Sequence, residues 1–153
     1  MGATQATVAE YFRIGVELGF VSPDEPRAWA DAIIREHEHP LGEVIDVSWS
    51  KGTAELVEAL RAIPGERDCK LAGAWLLGLL ATRLQESAEP RAIARGAMQV
   101  ARVANLGDGV YYEFDVVDDR FSLAELGHYG TAEACRAELE EALAKYPVRP
   151  AGT

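Results

Sequence analysis

The sequence predicts an all-α, single-domain bundle of seven or eight short helices. Two observations predict this fold. Apolar residues recur every three or four positions through most of the chain, and Ser, Thr, Gly and Pro interrupt that pattern where helices should start and stop. A length of 153 residues with 48% hydrophobic and 26% charged residues fits one globular domain. The sequence contains no strict repeat, although its short helix pairs resemble those of an α-solenoid in size.

The first two helices have clear stop and start signals. Residues 7–18 carry apolar side chains at helical spacing, and Gly19 is the expected stop. Ser22 then begins a second helix, because Glu25 stands three residues later, as in a capping box. We expect this helix to end before Pro40, since the residue that precedes a proline is biased away from the helical region.

The next two segments are shorter. Residues 41–49 form an apolar stretch that allows either a strand or a helix. A short helix is predicted there, because no obvious partner strands surround it. Thr53 then begins a fourth helix as its cap, and Pro64 and Gly65 end it.

The fifth helix, residues 67–85, is the most apolar segment of the chain. Apolar residues occupy much of its circumference, which predicts a central position. Gly73 and Gly78 lie inside it, and each costs about 1 kcal/mol in helix propensity. We therefore expect neighbouring helices to approach closely at both glycines.

The sixth and last helices are also delimited by sequence signals. Ser87 and Pro90 begin the sixth, which closes near residues 106–107. The last helix begins at the cap Thr131 and runs to about residue 145. Residues 146–153 are predicted to form a frayed tail.

The segment between these two helices is ambiguous. Residues 110–117 are rich in β-formers, which favours a strand. Tyr111, Phe114, Val117 and Phe121 also recur at helical spacing. We predict a helix that ends at residue 127, with the strand as the alternative.

The charge of the chain limits its partners. With 25 acidic and 15 basic residues, the formal net charge is −10. A negative field repels nucleic acid phosphates and anionic membranes, so neither is a predicted partner. Solubility alone is the first interpretation of such a charge. If the charge serves recognition, the predicted partner is a basic protein.

The ends and apolar stretches of the sequence bear on localisation. The N-terminal residues 1–12 lack the basic flank and apolar run of a secretory signal. The longest apolar stretch, residues 71–81, is about half the length of a membrane span. Cys69 and Cys135 are too few for a disulfide framework and fit buried thiols. These features predict a soluble, cytoplasmic protein.

No residue pattern predicts catalysis. His37 and His39 are two residues apart, which turns them about 200° from each other on a helix, whereas metal ligands need a spacing of three or four. The sequence has neither a Gly-x-Ser-x-Gly nucleophile motif nor a Gly-rich phosphate loop. We expect no enzymatic activity, no cofactor and no metal site, and a solvated helix end at the two histidines.

A cluster of carboxylates near the predicted seventh helix is the candidate site. Solvated surface is its first interpretation, a protein-recognition patch the second, and a carboxylate metal site or acid–base pair the third. Tyrosines beside carboxylates are suited to binding an Arg- or Lys-rich surface. The predicted partner-binding residues are Asp108, Tyr111, Tyr112, Asp115, Asp118 and Asp119. A second, weaker acidic group consists of Glu36, Glu38, Glu43 and Asp46.

Part of the chain resembles a family. Residues 17–50 resemble small, acidic, helical bacterial proteins that are similar to immunity proteins of polymorphic toxin systems. The resemblance rests on residues 18–21, 29–31, 40 and 44–48, and on residues 124–130 followed by a capped helix. It implies a helical protein that neutralises a toxin. Because the matching residues are structural, it assigns no functional residue.

The leading functional hypothesis is a non-enzymatic, cytoplasmic protein-binding module that resembles an immunity protein. It would neutralise a toxin or effector by covering a basic surface with an acidic one, as a monomer or weak homodimer. A helical adaptor with an unknown target is the first alternative. The second is a small metal-dependent or carboxylate-based hydrolase that uses His37 and His39 with the carboxylates.

Overall fold

The computed structural model describes residues 3–153, which form eight α-helices and no strand. The all-α prediction is confirmed, and both ambiguous segments are helical. The helices are α1 (Gln5–Glu17), α2 (Asp24–Glu36), α3 (Gly42–Trp49), α4 (Thr53–Ala62), α5 (Cys69–Gln85), α6 (Pro90–Val103), α7 (Asp108–Glu125) and α8 (Ala132–Ala144). None of the helices in these residues is both long enough and apolar enough to cross a membrane.

Some predicted caps are confirmed and others are replaced by a neighbour. The Thr131 side chain accepts a hydrogen bond from the backbone N–H of Ala134, as expected of the cap of α8. Thr53 is instead the first residue of α4, and Gly52 takes the cap position with a φ of 80°. At α6 the cap is Glu89 rather than Ser87, because the Glu89 carboxylate accepts hydrogen bonds from two backbone N–H groups of the first turn. A side-chain acceptor close to free N–H groups thus marks the start of α6 and of α8, whereas Gly52 offers no such acceptor at α4.

The contacts group the described residues into two compact units, each described by itself below. The first unit comprises residues 3–72 with Gly152 and Thr153. Within it, α1 packs against α4, and α3 packs against both α2 and α4. Its fully buried side chains include Phe12, Ile14, Val44, Leu56 and Leu60.

The second unit comprises residues 73–151 and contains most of α5. Within it, α7 packs against both α6 and α8. Trp75, Leu76 and Leu77 of α5 are all buried, although three consecutive residues span about 200° of a helix. This burial on several sides matches the apolar circumference of α5. Other buried side chains of the unit are Leu80, Leu84, Val100, Phe114, Phe121, Leu139 and Leu143.

Both glycines of α5 lie at close approaches, as expected. A Cβ atom at Gly73 would lie 2.4 Å from the Cβ atom of Ala104, the C-cap residue that follows α6. A Cβ atom at Gly78 would lie 2.3 Å from the carbonyl oxygen of Pro147. The neighbour at Gly78 is therefore the C-terminal tail rather than a helix. Residues 147–150 have no regular structure, but at Pro147 the backbone is packed on α5.

Gly78→Ala should lower the free energy of unfolding by about 1–3 kcal/mol, because the new methyl group meets backbone atoms that must move. Gly109→Ala is the matched control in α7, since a Cβ atom there meets nothing within 4 Å. The control should leave stability unchanged or raise it by up to about 1 kcal/mol. Urea unfolding of both variants measures the difference. A chain truncated before Pro147 should tolerate Gly78→Ala, and an undiminished cost there would contradict the packing argument.

Candidate functional site

Helix α7 has apolar side chains on two opposite sides. Phe114, Val117 and Phe121 are buried and hold the helix in its unit. Tyr112 and Val116 point the other way, with 58% and 45% of their surfaces exposed. A single apolar stripe is enough to hold a helix on a core, so the second stripe is available for another contact.

The outer face of α7 comprises the exposed side chains that lie opposite the buried stripe, together with the half-buried Asp115. Leu123 is 41% exposed on this face, and Leu126, the C-cap residue that follows the helix, is 70% exposed. Tyr129 is exposed just beyond it. Apolar and acidic residues alternate on the outer face, which consists of Asp108, Tyr112, Asp115, Val116, Asp119, Leu123 and Leu126.

Four of the six predicted site residues belong to the outer face. They are Asp108, Tyr112, Asp115 and Asp119, and none has an ion pair or side-chain hydrogen bond among the described residues. The three aspartates carry a negative charge that no cation among residues 3–153 neutralises by contact. Such a surface attracts cationic groups of another molecule.

The other two predicted residues, Asp118 and Tyr111, contact α6 instead. Asp118 Oδ1 accepts hydrogen bonds from Arg91 Nε at 3.4 Å and Arg95 Nε at 3.2 Å, and the Asp118 side chain is only 15% exposed. A partner would have to break both ion pairs to reach this carboxylate. Asp118 therefore joins two helices of the chain.

Tyr111 is held in a similar way. Its hydroxyl oxygen accepts a hydrogen bond of 2.9 Å from Arg102 Nη2, and the guanidinium carbon lies 4.8 Å from the ring centroid. Arg91, Arg95 and Arg102 all come from α6, so the local sequence of α7 shows none of these contacts. Their spacing of four and seven residues puts them on one side of α6, and this signal could have shown that α6 has a basic side.

An open groove of about 530 Å³ lies beside the outer face, between α7 and α8. Val116 lines both the groove and the outer face. Lys145 Nζ donates to Glu113 Oε2 at 2.9 Å, and Arg120 pairs with Glu138. Charges on this side of α7 are thus paired within the chain. The other carboxylate oxygen of Glu113 is buried without a hydrogen-bond partner among the described residues.

A second exposed surface lies in the first unit, along α3. Trp49 is 74% exposed, the largest exposed fraction among the big apolar side chains of the described residues. Leu41 and Ile45 precede it at intervals of four residues and form the α3 ridge with it. The weaker acidic group places Glu43 and Asp46 on this same helix. The sequence predicted the charge here but not an exposed tryptophan.

The histidine pair lies at the end of α2, where the sequence placed it. His37 is the C-cap residue that follows α2, and its Nδ1 lies 2.9 Å from the Ile33 carbonyl oxygen. His39 is exposed two residues later. In residues 3–153, no group of three or more His, Cys, Asp or Glu side chains has an arrangement that could hold a metal ion.

The structure also contains a buried charge cluster that the sequence analysis missed. Glu10 of α1 is buried and receives Arg13 Nε at 2.5 Å and Arg67 Nη1 at 3.2 Å. The Cys69 thiol donates to the other Glu10 oxygen at 3.1 Å. Residues almost sixty positions apart meet here, so no local motif could have revealed the cluster.

This cluster changes the protonation of both acidic groups. Burial alone would raise the pKa of Glu10, but hydrogen bonds from Arg13 and Cys69 and the charges of Arg13 and Arg67 lower that pKa to about 2. Burial, and then the hydrogen bond to Glu10, raises the pKa of the Cys69 thiol. The thiol therefore stays protonated at neutral pH and is a poor nucleophile.

The role of the cluster is structural. Arg67 Nη2 also donates to the carbonyl oxygens of Leu60 and Ile63 at 3.0 Å, where α4 ends. A guanidinium at this position satisfies carbonyl groups that have no partner inside the helix. One side chain thus connects the end of α4 to Glu10 of α1, just before α5 begins.

The outer face of α7 presents exposed apolar groups beside carboxylates that have no ion-pair partner among the described residues. The structure therefore defines an acidic, all-α protein with an exposed, mixed apolar and acidic helix face. Nothing matches the chain among protein family models, curated proteins or solved structures. The functional argument therefore uses the geometry of these residues.

Asp118 and Asp119 are neighbours with different roles, so their substitutions should differ. Asp118→Ala should lower the free energy of unfolding by about 1–3 kcal/mol, because two arginines of α6 lose a partly buried hydrogen-bond acceptor. Asp119→Ala should change it by less than about 0.5 kcal/mol, as is usual for an exposed side chain. Chemical denaturation of the two variants tests this. Equal effects on stability would contradict the division between the two residues.

Glu10 should make the free energy of unfolding depend on pH in the acidic range. Its pKa is about 2 in the folded chain against an ordinary value of 4.5, so its contribution is complete above about pH 4.5. That contribution, about 3 kcal/mol, should be lost as the pH falls from about 4.5 towards about 2. Glu10→Gln should be less stable at neutral pH and lose less stability in this range. Urea unfolding at several pH values would show this, and identical acid profiles for both proteins would contradict it.

Proposed function

We propose that this chain is a non-enzymatic protein-binding module whose outer face of α7 binds a basic protein. One observation carries the proposal: Tyr112, Val116 and Leu123 are exposed on a helix whose other side is already packed in the core. Large apolar side chains grouped on a surface are typical of interaction sites. The unpaired Asp115 and Asp119 beside them indicate the charge of the partner.

The two kinds of residue would contribute differently to binding. An aromatic side chain that a partner buries, as proposed for Tyr112, supplies much of the affinity of an interface, and its truncation costs about 2 kcal/mol or more. Exposed carboxylates such as Asp119 mainly steer association and reject partners of the same charge. Asp118 is not part of the proposed contact, because Arg91 and Arg95 already occupy it.

The kind of basic protein is proposed from charge and from resemblance together. A net charge of −10 suits a protein that covers a cationic surface. The likeness of residues 17–50 to immunity-type proteins makes a toxin or effector domain the proposed partner, met in the cytoplasm. A helical adaptor that uses the same surface is the rival. If the neighbouring gene encodes a toxin, the first proposal is favoured over the second.

The α3 ridge is the alternative surface. Trp49 is a stronger anchor by residue type than any side chain of the outer face, because tryptophan is enriched among residues that dominate binding energies. Asp46 and Glu43 give it the same charge sign as the outer face. It would serve the same function through a different unit of the chain.

Affinity capture with the tagged chain should recover a basic partner, and variants then locate the contact. Tyr112→Ala should weaken binding at least about tenfold, mainly through faster dissociation. Asp119→Ala should slow association and flatten its dependence on salt, because a steering charge is lost. Surface plasmon resonance at low and high salt measures both rates.

Trp49→Ala is the matched control for Tyr112→Ala, since both remove an exposed aromatic side chain. It should leave both rates unchanged. If Tyr112→Ala leaves the affinity for the partner unchanged and Trp49→Ala abolishes binding, the contact lies on the α3 ridge instead. Affinity that is equal at low and high salt would overturn the electrostatic part of the proposal.

A further inference from the structure

The exposed residues of α7 follow the spacing of a coiled-coil seam. Tyr112, Val116, Asp119, Leu123 and Leu126 are separated by four, three, four and three residues. A 4-3-4-3 spacing of mainly apolar residues is the pattern by which one helix packs along another. Asp119 occupies the middle position of this seam, which therefore consists of two pairs of apolar residues around one carboxylate.

The geometry of α7 supports this spacing. At about 100° per residue, the five seam residues fall within an arc of about 80°. The centre of this arc lies almost opposite Phe114, Val117 and Phe121, which are buried in the unit's own core. The seam therefore points outward along the helix, and its four apolar side chains are all substantially exposed.

We propose that the partner contributes an amphipathic helix that packs along this seam and places a lysine or arginine opposite Asp119. The inference rests on the proposed function, because it names the structural class of the partner for the same surface. Apolar residues of the partner helix would cover Tyr112, Val116, Leu123 and Leu126. The partner helix would therefore carry four apolar residues at seam spacing with one lysine or arginine between the two pairs.

The cation is required by the position of Asp119. A helix laid along the seam would cover this carboxylate, and a carboxylate removed from water needs an opposite charge and hydrogen bonds in return. Asp115 borders the seam on one side and is also unpaired, so a second basic residue of the partner fits there. On the other border, Glu113 and Arg120 are already paired with Lys145 and Glu138.

A second copy of this chain fits the seam poorly. Parallel pairing of two copies in register would place Asp119 opposite Asp119, and antiparallel pairing would cover it with apolar seam residues of the other copy. Like charges that face each other in a seam repel, and a covered carboxylate without a cation loses its hydration.

Two synthetic helices test the inference on the full chain. Each peptide is about three heptads long, with leucine at the outer four of five seam positions and either lysine or glutamate at the central one. Calorimetric titration should show the lysine peptide binding at least about tenfold more tightly than the glutamate peptide. Asp119→Lys should reverse this preference, and the preference should shrink at high salt.

Glu86→Lys is the matched control, because it makes the same change of charge at an exposed residue of the same unit. It should keep the wild-type preference for lysine. Circular dichroism checks that each variant keeps its helices. Binding of neither peptide, equal binding of both, or a preference that Asp119→Lys does not reverse would overturn the inference. A wild-type dimer that Tyr112→Ala dissolves would assign the seam to a second copy and also overturn it.

Comparing the natural partner with the two peptides distinguishes failure of this inference from failure of the proposed function. If Tyr112→Ala abolishes binding of that partner while neither peptide binds, the site on α7 stands and the helical occupant is wrong. Suppose instead that Asp119→Lys reverses the chain's preference between the peptides, while Tyr112→Ala leaves the affinity for the natural partner unchanged. The seam then recognises basic helices, and the proposed location of partner binding is wrong.

Discussion

The rotation of α7 about its own axis is the constraint on which the candidate site depends. The buried side chains of Phe114, Val117 and Phe121 set this rotation, and the ion pairs of Asp118 with Arg91 and Arg95 hold it against α6. A helix offers its side chains in a fixed angular order, so these inner contacts decide what lies outside. The exposure of Tyr112, Val116 and Asp119 follows from them.

Carboxylates in this chain serve opposite purposes according to their surroundings. Glu10 is buried, and Arg13 and Arg67 keep it ionised by lowering its pKa to about 2. Asp119 is exposed and has no ion pair with any cation in the part of the chain that the structure describes. The first kind of carboxylate connects helices, because a buried charge must be paired where it lies. The second kind can attract cationic groups of other molecules, because no cation of the described residues pairs with it. The net charge of −10 therefore does not show which carboxylates are exposed and unpaired.

Binding by the outer face would need no rearrangement of the core. The apolar stripe that holds α7 and the stripe that faces outward share no residue, so covering one leaves the other intact. A rigid, preformed helix face loses little conformational entropy when a partner packs on it. The α3 ridge, with Trp49 on a short helix, offers a smaller surface of the same type.

The sequence by itself determined the helical class, the positions of the eight helices to within a few residues of their ends, and the acidic character of the surface, because apolar spacing, caps and charge are local properties. It also predicted the close approaches at Gly73 and Gly78. Only the tertiary structure decided which acidic residues of α7 are available, since the arginines that occupy Asp118 come from α6. The cluster around Glu10 likewise joins residues that are distant in sequence. Local patterns give the angular order of side chains on a helix, but only packing against other helices determines which side of it meets solvent.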